Sequence, residues 1–233
     1  MSERLAVIIP VYNESEIIKT VLTDWSKTLD ELSIDYKIFA FNDGSSDNSL
    51  QMMKEASNQH PRIDIIDKPN SGHGPTILQG YKNATNGFDW IFQIDSDNEM
   101  PSIYFKVLWK NRNENDFLIG YRFGRQPNLA RKLLTYFSRL TVTFFFGDKI
   151  LDVNSPFRLM RTSFFREYFS KLSPGTFAPN VIISGIAARK DARVFSTDVP
   201  YTFRQTGKVS IGQLKLVLIA WKCFIQTLRS RKI

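Results

Sequence analysis

The segment WIFQIDSDNEMP, Trp90–Pro101, changes character halfway along. It opens as an apolar strand, then sets Asp95, Asp97 and Glu99 within five residues before Pro101 stops it. Carboxylates so close repel one another, and no Lys or Arg stands beside them in sequence to relieve them. The segment therefore raises the question of which positive charge the folded protein brings to this point.

Upstream, strand-like and helix-like segments alternate. LAVIIPV (5–11) reads as a short apolar strand. Asn13, three residues before Glu16, reads as a helix cap with its capping-box partner. Ile17, Ile18, Val21, Leu22, Trp25, Leu29 and Leu32 then recur at helical spacing. YKIFAF (36–41) is the second strand, broken by NDGSSDNS (42–49) ahead of a helix to about Asn58. IDIID (63–67) is the third, followed by the glycine-punctuated loop NSGHG (70–74) and a helix to about Ala84. WIFQID (90–95) is the fourth. This order predicts an α/β fold with a mainly parallel, doubly wound sheet flanked by helices. Ligands of such sheets bind beyond the carboxyl ends of the strands. YNE (12–14), NDGSSD (42–47) and DSDNE (95–99) stand at three such ends and are predicted to share one crevice.

The second half is less regular. FLIGYR (117–122) reads as a fifth strand, DVNSPFRLM (152–160) precedes a short helix, and RVFSTDVPYTF (193–203) is a late strand. A helical segment is expected from about Ile211. Two apolar stripes stand out: Leu129, Leu133, Phe137, Leu140 and Phe144, and then Leu214, Val217, Trp221, Phe224 and Leu228, each with Lys and Arg off the stripe. Either stripe suits an interfacial helix on an anionic bilayer, or packing on the core with solvated cations. No internal repeat or low-complexity linker divides the chain, so one domain over 1–233 is expected.

The 233 residues, 42% hydrophobic and 23% charged, have ordinary globular composition. The single cysteine, Cys223, excludes an internal disulfide and fits a reducing compartment. Two histidines, His60 and His73, are too few for a histidine-based zinc site. The first apolar run is too short for a signal peptide, and no stretch approaches the ~20 apolar residues of a membrane span. The expected location is the cytoplasm or the cytoplasmic face of a membrane. The net charge of +8 suits nucleic acid, a phosphorylated small molecule or an anionic bilayer. The crevice itself is acidic and the cations lie elsewhere, which argues against nucleic acid as the partner.

Each cluster admits two readings. Asp95 and Asp97, two apart, could turn together onto Mg²⁺ or Mn²⁺, which accept one or two carboxylates plus water and substrate phosphate; or they form a solvated acidic turn. Asp43, ahead of Gly44, could accept a hydrogen bond from a base or ribose, or serve as a turn-forming residue. Glu14 could do similar work, or complement a helix dipole. NSGHGP could turn backbone N–H groups toward phosphate, or be a plain loop with His73 as one of its polar residues.

In this order and spacing, IIPVYNE, NDGSSDNS and QIDSDNEMP resemble the nucleotide-sugar half of glycosyltransferase family 2, which has the GT-A fold. The likeness continues through IGYR, DVNSPFRLM and VPYTFRQTGKVS, which are similar to the branch containing dolichol-phosphate mannosyltransferase and bacterial polyprenyl-phosphate glycosyltransferases. The resemblance implies a nucleotide-sugar half over 1–120, an acceptor half over 121–210 and a C-terminal amphipathic helix over 211–233. It implies that Pro10, Tyr12 and Glu14 line the nucleoside pocket, Asp43 binds the base, and Asp95 and Asp97 bind the metal, with Asp97 the direct ligand. Arg204 matches an arginine near the diphosphate; Asp152, Ser155 and Arg158 match a segment near the acceptor. SPFR replaces an expected Ser-Gly-Phe-Arg, and RQTGKVS carries one extra residue, so the departures concern the acceptor side.

The expected reaction is inverting displacement at the anomeric carbon of a nucleotide-diphosphate sugar, and the resemblance implies a UDP-sugar in preference to a GDP-sugar. Metal and Arg204 would stabilise the departing diphosphate. A saccharide hydroxyl needs a base; the resemblance implies that hydroxyl-activating members carry a Glu-Asp or Asp-Asp pair after the metal motif. No adjacent acidic pair follows Pro101, where Asp148, Asp152, Asp191 and Asp198 stand singly. A lipid phosphate is already anionic. A polyprenyl phosphate is therefore the expected acceptor, with a saccharide as the alternative. Asp152 is then the fallback base, or else a structural partner of Arg158.

Overall fold

The computed structural model of the chain describes residues 3–123 and 152–202. Its organisation follows from β1 (Arg4–Val11). Leu5, Val7, Ile9 and Val11 enter one core, Ala6 and Ile8 the other, and each is buried. An unbroken apolar run is what a strand covered on both faces requires.

The strands that follow are β2 (Asp35–Asp43), β3 (Ile63–Lys68), β4 (Trp90–Gln93), β5 (Phe117–Phe123), β6 (Arg158–Arg161) and β7 (Val194–Pro200). They form one sheet in the order β3-β2-β1-β4-β6-β5-β7. Only β6 runs against its neighbours β4 and β5; the other pairings are parallel. One face is covered by α1 (Ile18–Glu31), α2 (Ser49–Gln59) and α4 (Phe105–Lys110). The other carries α3 (His73–Ala84), α5 (Thr162–Lys171) and α6 (Pro179–Arg189). The expected mainly parallel, doubly wound α/β architecture is therefore present.

Strand order reverses at β1, with β2 and β3 on one side and β4 on the other. This is the switch point where such sheets open a crevice. Pro10 helps to open it. The β1–β4 register stops at Ile8 opposite Gln93, and the last bond of that ladder runs from Ile94 N–H to the Ile8 carbonyl. Pro10 shares the orientation of Ile8 and has no N–H to continue the ladder. The reversed β6 matters equally: Arg158 lies opposite Gln93, so residues 152–158 arrive at the carboxyl end of β4.

Two local expectations are corrected. Asn13 does not cap α1: the helix begins at Ile18, with Ile17 in the cap position and no side-chain cap. Asn13 instead adopts φ 55 and turns its side chain toward the loop after β2. Helix α6 has no counterpart in the periodicity of the sequence. Nearly all of its residues are buried, and a helix covered all round shows no polar face. The helix expected from Ile211 and both amphipathic stripes lie outside the described residues.

Trp25 of α1 meets Phe92, Phe105 and Phe157 at centroid distances of 5.0, 5.9 and 6.0 Å, tying α1 to β4, α4 and the chain before β6. Trp25→Ala should lower unfolding free energy by about 3–5 kcal/mol in urea titration. A loss under about 1 kcal/mol would contradict this packing.

Candidate active site

The three polar clusters meet along one rim. After β1, the Asn13 N–H donates to Ser45 Oγ (3.1 Å) and its Oδ1 accepts from Ser46 N–H (2.8 Å). Glu14 N–H donates to Ser49 Oγ (2.8 Å), Ser15 N–H to Asp47 Oδ2 (3.1 Å), and the Glu14 carbonyl accepts from Ile17 and Ile18. The loops after β1 and β2 are thus laced together through backbone groups that would otherwise lack partners. Tyr12 is half exposed at the mouth, whereas Pro10 is buried in the strand.

Asp43 closes β2 and is buried, paired with Lys68 of β3. Its Oδ1 also accepts from Ser71 N–H (2.8 Å) and its Oδ2 from Gly72 N–H (2.9 Å). Burial alone would push this carboxyl up; Lys68, the Ser71 N–H and Thr76 outweigh it and hold it below the usual carboxylate range. The next residue, Gly44, has φ 67, and a Cβ there would stand 2.7 Å from the Asn70 N, so β2 can turn away only without a side chain. The N–H groups of Ser71 and Gly72 are spent on Asp43 rather than turned to a phosphate. Asp43 Oδ1 thus takes Lys68 and both the N–H and the hydroxyl of Ser71, and Oδ2 takes the Gly72 N–H.

The acidic loop after β4 is fixed at both ends. Asp95 Oδ1 accepts from Gln93 Nε2 (2.9 Å), and His73 Nε2, from the start of α3, lies 3.5 Å away. Asp97 Oδ1 accepts from Glu99 N–H (3.1 Å), with Asn98 between them at φ 57. The Glu99 carboxylate accepts from the Tyr201 hydroxyl (2.8 Å) and its carbonyl from Thr202 N–H (2.9 Å). The chain after β7 is therefore tied onto this loop. Arg204, two residues beyond Thr202, lies outside the described residues, as does Asp148.

The question raised by the sequence is answered in part by residues remote in the chain. Arg122 of β5 forms a two-bond pair with Asp152, Nε to Oδ2 at 2.9 Å and Nη2 to Oδ1 at 3.0 Å. Burial alone would lower its pKa; Asp152, then Asp95 and Glu99, raise it further than burial lowers it. Arg158 also feels Asp95 and Asp152, though burial dominates and pulls its pKa down. Two fixed guanidinium groups thus share the field of the acidic loop.

The structure corrects the expected partner of Asp152, which is Arg122 rather than Arg158. Ser155 and Arg158 are fully buried, so neither presents its side chain to a ligand in solution. Ser155 Oγ donates to the Gly120 carbonyl (2.5 Å). Arg158 donates to the carbonyls of Val153 (3.0 Å), Ser155 (2.6 and 2.9 Å) and Asn180 (2.9 Å). They shape the loop over 152–157 from below.

Lys68, Arg122, Gln93, Asn180 and Tyr81 received no role from sequence reasoning. Only Gln93, a polar residue ending an apolar strand two places before Asp95, carried a local signal. Among the described residues, no group of three or more His, Cys, Asp or Glu could cage a metal ion. Two hard carboxylates still fit Mg²⁺ or Mn²⁺, which complete their shell with diphosphate oxygens and water.

Lys68→Met leaves Asp43 buried without its ion-pair partner, which should cost roughly 3–5 kcal/mol at neutral pH. Because the folded pKa of Asp43 lies below the ordinary 3.8, its contribution is complete above about pH 4 and lost as pH falls through the lower folded value. The difference between wild type and variant in urea titrations should therefore narrow toward about pH 3. An equal difference at both pH values would contradict the pairing.

The sequence profile of glycosyl transferase family 2 matches residues 6–169. The undecaprenyl-phosphate 4-deoxy-4-formamido-L-arabinose transferase of Proteus mirabilis (strain HI4320) is 28% identical over 217 residues, 92% of this chain and 64% of that protein. The protein of the same name from Photorhabdus laumondii is 27% identical over 218 residues, 92% of this chain and 65% of its own. The chain thus spans a little under two thirds of the length of these relatives. The glucosyl-3-phosphoglycerate synthase of Mycobacterium tuberculosis, crystallised with Mn²⁺, UDP and phosphoglyceric acid, superimposes with a TM-score of 0.71 at 13% identity, over 99% of this chain and 79% of that one. The sheet and its flanking helices have the fold of a GT-A domain, and the chain belongs to glycosyl transferase family 2.

Proposed function

We propose that the protein is a divalent-cation-dependent, inverting glycosyltransferase that moves a sugar from a nucleoside-diphosphate donor to a polyprenyl phosphate. The observation that carries the reading is the acidic loop at the β1/β4 switch point, beside the interlaced loops after β1 and β2. Asp43, with Pro10, Tyr12 and Glu14, would receive the nucleoside, a uridine in preference to a guanosine. Asp95 and Asp97 would hold Mg²⁺ or Mn²⁺, with Asp97 as the direct ligand. The bound ion would neutralise charge growing on the departing diphosphate. Arg204 would add a second cation; the tie of Tyr201 and Thr202 to Glu99 brings the chain toward the same loop two residues earlier.

The acceptor assignment rests on two supports. The relatives from Proteus and Photorhabdus are named for an undecaprenyl-phosphate acceptor. Asp152, the fallback base, has both oxygens bound by Arg122, which leaves it poorly placed to take a proton from a hydroxyl. A phosphate acceptor loses its second proton near pH 6 and attacks without a base. Among the described residues no helix is long and apolar enough to cross a membrane. Peripheral contact with a membrane, through segments outside those residues, is part of the proposal, and nucleic acid is not a partner.

In a thermal-shift panel of nucleoside diphosphates, one nucleotide plus Mn²⁺ at about 100 times its Kd should stabilise the protein by about 2.7 kcal/mol, a rise of roughly 5–10 °C. Shifts with oligonucleotides that ignore metal would reverse the reading. Asp97→Asn should keep the melting temperature and lose about 10²–10³-fold in kcat; undiminished turnover, or turnover in excess chelator, would contradict the cation's role. With a labelled nucleotide sugar, product is expected with polyprenyl phosphate, and product with a saccharide alone would refute the lipid acceptor.

A further inference from the structure

A line of hydrogen bonds runs from Asp95 into the interior, and the reaction above makes no use of it. Gln93 is wholly buried and donates from Nε2 to Asp95 Oδ1 at 2.9 Å. Its Oε1 accepts from Asn180 Nδ2 at 2.9 Å. Asn180 Oδ1 in turn accepts from the Tyr81 hydroxyl at 2.8 Å. The Asn180 backbone carbonyl takes Arg158 Nη1 at 2.9 Å, which pins the residue from another side. The three links stand on β4, α6 and α3 rather than on loops.

The polarity of this line is set at one end. A carboxamide can present either its oxygen or its nitrogen, and a tyrosine hydroxyl can donate or accept; an ionised carboxylate only accepts. Asp95 therefore requires the Gln93 nitrogen, which turns the Gln93 oxygen toward Asn180 and the Asn180 oxygen toward Tyr81. Every dipole points its positive end at Asp95, and aligned hydrogen bonds in a low-dielectric interior reinforce one another. Burying two carboxamide groups and a hydroxyl is unfavourable unless each is paired. Apolar side chains would fill the space at lower cost if Asp95 did not have to be held.

We propose that Gln93 and Asn180 are positioning residues for Asp95. Resting on the assignment of Asp95 to cation binding, the proposal is that they occupy its Oδ1 and fix the rotation of the carboxylate, so that Oδ2 is presented to the crevice. Among the described residues, the hydrogen bonds to this carboxylate fall on Oδ1. Tyr81 completes the line at the buried end, donating to Asn180 Oδ1.

The test is Mn²⁺ binding by the full chain, read from the electron paramagnetic resonance signal of free Mn²⁺, alone and with saturating UDP or GDP. Gln93→Leu should weaken Mn²⁺ about 10–100-fold, the usual cost of losing an outer partner of a metal ligand. Asn180→Asp should weaken it more than Asn180→Leu: an aspartate only accepts, so Gln93 would turn its nitrogen inward and its oxygen against Asp95. Nucleoside diphosphate binding in EDTA should be unchanged in all three. If Gln93→Leu fails to fold, the Asn180 pair, at a half-buried position, decides. Wild-type Mn²⁺ affinity in folded variants would overturn the proposal alone, as would a loss of nucleotide binding in EDTA equal to the loss for Mn²⁺. Absence of Mn²⁺ binding in the wild type would overturn the assignment of Asp95 itself, and the proposal with it.

Discussion

Asp95 and its neighbours concentrate negative charge at the end of a strand that is buried on both faces, and that charge organises the site. Arg122 and Arg158 supply positive potential, but Arg122 is bound to Asp152 and Arg158 to backbone carbonyls. Asp152 and Asp95 act on both cations and Glu99 on Arg122, and Asp97 belongs to the same loop. In the proposed function, a hard divalent ion shared with a diphosphate would add positive charge at this loop. Such an arrangement would stabilise charge that appears only as the leaving group departs, which is where electrostatic catalysis is most effective.

The reversed strand β6 makes this possible. Its direction puts Arg158 beside Gln93 and delivers residues 152–157 to the crevice instead of to the opposite end of the sheet. Ser155 and Arg158 are consumed in holding that turn, and the Arg122–Asp152 pair joins it to β5. Gly74 shows how closely the same side is packed: a Cβ there would lie 1.9 Å from the Phe177 carbonyl oxygen. The start of α3, which carries His73 toward Asp95, is thus set directly against the segment leading into α6. A substitution at Gly74 would displace both.

Much of the front half was legible because its signals are local. An apolar run, then a break bearing Asn, Asp or Gly, marks β1, β2 and β4, and their polar ends point to one crevice by the geometry of parallel sheets. What was hidden is long-range pairing. Asn13 looks like a cap, but its partner is Ser46 of another loop. Arg158 reads as a ligand-facing cation, but five hydrogen bonds hold it inside. Asn180 follows a proline at the start of an unpatterned apolar helix, and nothing nearby marks it as a neighbour of Gln93. The partner of Asp152 could not be chosen from sequence, since Arg122 and Arg158 are both at plausible distances along the chain.

The most direct test of this account is a crystal of the protein soaked with Mn²⁺ and a nucleoside diphosphate, with diffraction recorded at the manganese absorption edge. The account predicts one strong anomalous peak between the carboxylates of Asp95 and Asp97 and the diphosphate oxygens. An ordered nucleotide with no ion there, and the two carboxylates turned out to bulk water, would contradict it.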